Sequence, residues 1–266
     1  MTTPQISVQL YSVYGPSEAD LDGTLGKLAA IGFTNVEAFD FVRRVDALKA
    51  SFEKHGLVSP TAHAILVEEG AATPDGLLTT PPADEVFAAA KELGVQIVID
   101  PYVPPARWAD LAGVQRSAQR LNEAAVKAAE YGLRVGYHNH DHEFTSIING
   151  KTAYEVFADL LDPSVLLELD LYWAAAGGQD VAALLGRLGD RVVAVHIKDG
   201  PIRPGITAAR LPDDQVPAGR GDVPLAAALA VGTAIEYAVV EFDKYAGDIF
   251  EGIAGSYAYL TSTLKG

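Results

Sequence analysis

The sequence predicts an α/β protein folded as a closed (β/α)8 barrel, and three observations carry that reading. Short apolar runs alternate strictly with Ala/Leu-rich amphipathic stretches. A glycine recurs where an amphipathic stretch ends and the next apolar run begins, at Gly32, Gly56, Gly94, Gly132 and Gly232. The unit repeats eight times, and strict strand–helix alternation requires a parallel sheet, which eight repeats close on itself. A length of 266 residues suits one such barrel, read as a single domain over 1–266. The competing architecture is a doubly wound open sheet. No Gly-x-Gly-x-x-Gly follows the first strand, which lowers its standing.

The first strand is expected at about 5–11, with a helix over 18–30 capped by Ser17 and closed by Gly32. A second strand at 34–39 leads to a helix at 45–55 and Gly56. The third strand, 57–64, feeds a long Pro/Gly-rich loop at 65–82, then a helix at 83–93 and Gly94. Strand four at 95–101 and a helix at 107–131 end at Gly132. Strands five and six, 133–139 and 165–170, precede helices at 151–161 and 179–188. Strand seven at 192–197 opens into a second long loop, 199–221, before a helix at 222–231 capped by Asp222. Strand eight at 237–242 and a helix at 248–264 complete the chain. Glycine just past a helix takes the left-handed conformation at little cost, which turns the chain into the next strand. Both long loops follow strands, so they fall on the catalytic face of a barrel.

Composition narrows the function. Hydrophobic residues make up 49% and charged residues 21%, enough for a full core. A net charge of -15 argues against a nucleic-acid partner, whose phosphates need Lys and Arg. With no cysteine there is no disulfide framework, thiolate zinc site or thiol nucleophile. No apolar run is long enough to span a bilayer, and the start shows no basic and apolar leader, so no membrane partner and a cytoplasmic location are expected.

The predicted strand ends carry an unusual polar set: Gln9, Glu37, His63, Asp100, His138 with His140, Glu168 with Asp170, His196 with Lys198, and Glu241 with Asp243. Three of the six histidines lie in Tyr137-His138-Asn139-His140-Asp141-His142-Glu143-Phe144. Strand side chains alternate, so each same-strand pair shares a face. Ionisable groups inside a barrel are costly unless paired or metal-bound. One histidine and two carboxylates from strands six to eight, with His138 from strand five, form a mixed N/O ligand set. It suits Mn²⁺, Zn²⁺, Co²⁺, Fe²⁺ or Mg²⁺ better than Ca²⁺. The structural alternative is a set of internal salt bridges, such as Lys198 with Glu168 or Asp170.

Several segments, in order and over nearly the whole chain, resemble the sugar phosphate isomerase/epimerase family of xylose-isomerase-like, AP-endonuclease-2-like TIM barrels. They are Val8–Val13, Gly32–Glu37, Thr61–His63, Tyr137–Phe144, Leu167–Trp173, Val195–Asp199 and Val240–Asp243. The resemblance implies a divalent metal held at the ends of strands five to eight, carried here by Asp170, His196 and Glu241. The usual strand-five glutamate is replaced by His138, so either His138 takes that place or Glu143 reaches back from the loop. It also implies that Glu241 is the acid/base group. Its proton partner would be His140, Glu143 or His63.

The expected function is a metal-dependent isomerase or epimerase of a small sugar or keto-sugar. A base removes a C–H proton next to a carbonyl and the enediolate is stabilised. The runner-up is a lyase or dehydratase of a 3-keto-sugar, keto-glycoside or inosose. A non-catalytic subunit of a sugar-processing complex is the remote alternative, and the charge disfavours a nuclease. His63 contacts a substrate hydroxyl in this reading, and Lys198 either stabilises an oxyanion or pairs with carboxylates. Gln9, Glu37 and Trp173 are candidate substrate contacts, and Arg220 sits in a Gly-rich loop able to hold phosphate. One arginine in so acidic a chain favours a non-phosphorylated substrate. A homodimer or hetero-complex is the expected assembly.

Overall fold

The computed structural model describes residues 3–68, 70–73 and 76–265, with side chains outside 69–79. Eight parallel strands form the central sheet: β1 (Gln5–Val8), β2 (Asn35–Phe39), β3 (Val58–His63), β4 (Ile97–Asp100), β5 (Arg134–His138), β6 (Leu166–Asp170), β7 (Val192–Ile197) and β8 (Tyr237–Val240). Neighbouring strands pair in sequence order from β2 to β8, and β1 pairs with β8. A parallel bridge from Gln9 to Glu37 joins β1 to β2, so the sheet is a nearly closed barrel. The predicted strands are all present: the seventh has its predicted bounds, and the other seven are trimmed by one to three residues at one or both ends.

The main helices are α1 (Leu21–Ile31), α2 (Val45–His55), α3 (Ala83–Leu93), α4 (Leu111–Glu130), α5 (Ala153–Leu160), α6 (Val181–Leu188), α7 (Leu225–Val231) and α8 (Ile249–Thr263). They surround the barrel and bury the outward faces of the strands, with Val98, Val195, Ile197, Val240, Phe157 and Leu185 in one continuous core. A smaller apolar cluster of Ile97, Ile99, Val193, Ala194, Tyr237 and Val239 lies apart from it. By alternation with His196 and Glu241, Ala194, Tyr237 and Val239 point into the barrel as a plug beneath the polar strand ends.

Two predicted helix caps are corrected. Ser17 lies inside a short helix, Tyr14–Ala19, and its buried hydroxyl has no partner. Asp20 caps α1 instead, accepting the Gly23 N–H at 2.9 Å. The chain needs its cap where the short helix breaks, and that break falls at Asp20. At α7 the N-cap position is Pro224, while Asp222 accepts the Ile202 N–H at 2.9 Å and ties the preceding loop. The left-handed glycine turns hold at Gly56, Gly94 and Gly132, but Gly232 has φ -71° and merely ends α7. Gly32, at φ +122°, packs where any Cβ would meet the Tyr257 hydroxyl at 2.7 Å, and this contact seats α8 beside α1. The predicted loop at 65–82 contains an antiparallel pair, Gly70–Thr73 with Gly76–Thr79, while residues 69, 74 and 75 lie outside those described.

Outside the barrel, α1 and α2 are clamped by Asp22, which accepts hydrogen bonds from Lys54, His55 and Ser51. Those bonds, Lys54 first, draw the Asp22 carboxyl down to about 2. Its folded value lies below the unfolded one near 3.9, so the clamp is complete above about pH 4 and fades as pH falls toward 2. The melting temperature of Asp22→Asn is therefore expected below that of the parent at pH 5, with the two curves converging by pH 2. A constant gap across that range would remove the clamp from the acid response.

Candidate metal and proton-transfer site

The C-terminal ends of the strands place the polar residues in two layers. Register sets this arrangement: Glu168 of β6 lies beside His138 of β5, and Asp170 beside His196 of β7. In the inner layer one oxygen, Glu168 Oε2, lies 2.7 Å from His63 Nε2, 3.1 Å from His138 Nδ1 and 3.1 Å from His196 Nε2. Glu37 Oε1 accepts from Gln9 Nε2 at 2.6 Å and lies 2.8 Å from His196 Nε2 and 3.0 Å from His63 Nε2.

The outer layer uses the other edges of the same rings. His138 Nε2 and His196 Nδ1 each lie 3.9 Å from Asp170 Oδ2, and His196 Nδ1 lies 2.7 Å from Glu241 Oε2. Lys198 Nζ stands beside them, 3.0 Å from Asp170 Oδ2, 2.7 Å from Glu241 Oε2 and 2.7 Å from Asp243 Oδ2. Among the described residues two groups have ligand atoms gathered within 4.8 Å: His138, Asp170, His196 and Glu241, and His63, His138, Glu168 and His196. The first group joins Asp170, His196 and Glu241 to His138, one of the two strand-five candidates left open by the sequence.

This donor set fits a divalent ion on three counts. Ligands about 2.1 Å from one ion lie roughly 3–4 Å from each other, close to the outer-layer spacings. Asp170 Oδ2 accepts no hydrogen bond, because Lys198 lies near it but out of alignment. Charge is the third count: Glu37, Glu168, Asp170 and Glu241 are buried with Asp243 beside them, and these five carboxyl groups outnumber Lys198 and the neighbouring charged His63. Carboxylates in such excess in a low-dielectric interior call for protons or a cation.

The titrations follow these neighbours. Burial opposes charge on His63, yet Glu37 and Glu168 push it up to about 10. Burial and the neighbouring His196 hold His138 well below the usual range, so it is neutral. Against burial, Asp170, Asp243 and Glu241 keep Lys198 charged, while Lys198 and His196 hold Glu241 below the ordinary carboxylate range. Burial pushes Asp170 up to about 6 despite Lys198.

Around this ionic centre the rim is aromatic. Trp173 is fully buried, with Lys198 Nζ 5.3 Å from its ring centre and His140 6.1 Å away. His140 stacks on His142 at 5.7 Å, and its buried Nδ1 has no partner. Burial and His142 hold it neutral. Glu143 is occupied elsewhere: Tyr137 donates to its Oε1 at 2.9 Å and the His140 N–H to its Oε2 at 3.0 Å. It therefore braces the turn that presents His140, and it belongs to neither ligand grouping.

Other expected residues fall at a distance from this centre or in supporting positions. Gln9 and Glu37 are fully buried and bonded to each other, beneath His63 and His196. Arg220 is exposed on its loop. The amides of Gly219 and Gly221 beside it already donate to Asp199 Oδ2, at 2.9 and 3.0 Å. Asp100 accepts three backbone N–H bonds, from Leu66, Val67 and Tyr102, and so ties down the start of the loop after β3.

Three residues with structural work here carried no individual assignment in the sequence. Asn139 bonds both backbone groups of Asp170. Gln215 grips the Asp243–Lys244 turn. Asp199 is buried and accepts from Gly200, Gly219, Gly221 and Val223. Asn139 and Asp199 had a usable signal, their places within the histidine run and at the end of the Val195–Asp199 segment; Gln215 had none. Asp199→Ala strands those donors, and each buried N–H left without an acceptor costs about 1–3 kcal/mol. Water reaching the loop satisfies part, so a loss of about 2–4 kcal/mol is expected, with cleavage by trypsin after Arg210 or Arg220 as the readout. Unchanged proteolysis would show that the loop is held by other contacts.

The molecule is a parallel eight-stranded α/β barrel whose strand ends gather histidines and carboxylates able to hold an ion. Residues 25–242 match the xylose isomerase-like TIM barrel family, and the chain belongs to that family. Its fold is similar to that of a sugar phosphate isomerase/epimerase from Parabacteroides distasonis, at 24% identity and a TM-score of 0.74, covering 97% of this chain and 94% of that one. It is also similar to the IOLI protein with a binding zinc atom, at 18% identity and TM-score 0.70, covering 98% of each chain. A third similar fold is the probable 3-DHS dehydratase AsbF from Bacillus anthracis, at 12% identity and TM-score 0.70, covering 97% of this chain and 98% of that one. No curated protein matches the chain. No helix among the described residues is long and apolar enough to cross a membrane.

Proposed function

We propose that this protein is a divalent-metal-dependent isomerase or epimerase of a small, non-phosphorylated sugar or keto-sugar. The observation that carries this reading is the convergence of His138, Asp170, His196 and Glu241 at the mouth of the barrel, with Lys198 and Trp173 beside them. His138, Asp170, His196 and Glu241 would hold the ion, which supplies polarisation of a carbonyl or vicinal hydroxyl and stabilises the enediolate. Glu241 moves the proton at the carbon next to that carbonyl, its carboxylate kept ionised by Lys198 and His196. His140 is its partner across the site: it is neutral and its Nδ1 lacks any competing bond. Lys198 offers positive charge to a developing oxyanion, and Trp173 walls one face. His63 and Glu37 support the ligand rings from below. Two facts favour an unphosphorylated substrate: Arg220 is exposed, and the amides flanking it donate to Asp199.

A second reading, elimination from a 3-keto-sugar or inosose, is favoured by one observation. Glu143 is locked to Tyr137 and the His140 N–H, so no strand-five carboxylate faces Glu241 as a matched second base. A carboxylate–histidine pair of unequal strength suits loss of a β-substituent as well as proton return. The similar fold of a probable 3-DHS dehydratase is consistent with it.

The test combines metal analysis with turnover in D₂O. Protein purified without chelator is expected to carry about one divalent ion per chain, matching one four-ligand set. A panel of ketoses and keto-sugars is expected to yield a substrate that gains deuterium next to its carbonyl. Release of a leaving group would select elimination, and a chain that cannot be loaded with any divalent ion would overturn the metal reading.

A further inference from the structure

His138 and His196 each expose two ring nitrogens to two different layers, and a neutral imidazole offers one N–H and one lone pair. The outer layer needs the lone pairs, so something must hold the protons on the inner nitrogens. We propose that Glu168 is a positioning residue: its Oε2 takes the inner N–H groups of His138 and His63 and, 3.1 Å from His196 Nε2, backs the N–H that His196 gives to Glu37, and so turns His138 Nε2 and His196 Nδ1 toward the ion. This inference rests on the metal reading above and assigns a role to a residue outside the ligand set.

The geometry points the same way from several sides. Glu168 is 1% exposed and comes from the same strand face as Asp170, two residues earlier, so β6 supplies both a ligand and the support of its neighbours' rings. Its hydrogen bonding runs through one oxygen, since Oε1 has no partner. The three rings contact one another, with His138 and His196 centroids 4.5 Å apart and His63 stacked on His196 at 5.3 Å. Glu168 therefore fixes the His63 and His138 rings directly, and His196, packed between them, is held by Glu37 beside it. Glu37 shares His63 and His196 but has no bond to His138, which depends on Glu168 alone for its inner proton. Carboxylates that hold the far N–H of a ligating histidine fix its tautomer and orientation, and their loss commonly costs 10–100-fold in metal affinity.

The competing occupant of the inner layer is an ion bound by His63, His138, Glu168 and His196. It excludes the outer ion, because filling both layers would strip both nitrogens of both shared rings of their protons.

The test loads ¹¹³Cd²⁺ into ¹⁵N-histidine-labelled protein and reads metal–nitrogen couplings. The expected result is one cadmium per chain coupled to His138 Nε2 and His196 Nδ1, with protons retained on His138 Nδ1 and His196 Nε2. Coupling to those inner nitrogens, or to His63 Nε2, would make Glu168 a ligand and overturn the proposal while leaving a metal site. Absence of any cadmium uptake would overturn the metal reading itself and this inference with it. Glu168→Ala is then expected to weaken cadmium binding by about 10–100-fold and to break the single coupling pattern. Glu168→Gln, which keeps a carbonyl acceptor, is expected to retain the pattern with a smaller loss. Unchanged affinity and couplings in Glu168→Ala would overturn the role, and the parent protein's couplings decide the question even if that variant fails to fold.

Discussion

Glu241→Gln is expected to abolish exchange of the substrate's C–H proton with solvent while leaving part of the metal affinity intact. An amide keeps an oxygen in the ligand position but cannot take a proton at neutral pH. Positioned acid–base groups contribute about 10²–10⁴-fold, so the loss in turnover falls in that range. Glu241 is singled out over its neighbours by its surroundings. Asp170 spends Oδ1 capping the Leu171–Ala176 turn through the Trp173 N–H at 2.8 Å, and Asp243 is bound by Gln215 and Lys198. Glu241 has His196 and Lys198 on a single oxygen, Oε2. Deuterium uptake from D₂O, measured by NMR alongside metal content, reads both quantities. Retained exchange at full metal content would take Glu241 out of proton transfer.

Lys198→Met is expected to give the largest loss of stability of any single change at the site. The methionine keeps the buried stem but removes the only lysine from a centre shared by Asp170, Glu241 and Asp243. Breaking a buried ion pair from one side costs about 3–5 kcal/mol, since the remaining charge is left uncompensated. For a chain of this size each kcal/mol moves the melting temperature by roughly 2–4 °C, so a fall of about 10 °C or more is expected. A saturating divalent ion should narrow that gap, because the ion supplies charge to Asp170 and Glu241. Melting curves of both proteins with EDTA and with Mn²⁺ check this. Equal melting temperatures in EDTA would show that protons on the carboxylates already balance the centre.

Much of this molecule was legible in its sequence because a barrel repeats a local rule. Apolar runs and glycine junctions locate the strands, and a period of two puts Glu168 with Asp170 and His196 with Lys198 on one face. The set His138, Asp170, His196 and Glu241 converges as that rule and the family resemblance together imply. What stayed hidden depends on partners far away in the chain. Nothing local shows that Glu168 meets a histidine 105 residues earlier, or that Asp199 meets amides more than 20 positions later. Glu143 illustrates the difference. The sequence left it open as a ligand, and only the fold shows Tyr137 and the His140 amide occupying both of its oxygens. The caps failed for a nearer reason: Ser17 and Asp222 have suitable side chains, but Asp20 and Pro224 stand where the helices begin.

The apolar plug has a consequence for how such a chain tolerates change. Ala194 and Val239 sit two residues before His196 and Glu241 on the same strand faces. Foundation and chemistry are thus written on one ladder, rung above rung. A substitution on an upper rung, at His196 or Glu241, leaves the lower rung in place and the barrel standing. A single inserted residue within β7 or β8 turns both rungs outward together. The barrel can therefore trade one polar side chain at a strand end for another far more readily than it can accept a change in strand length.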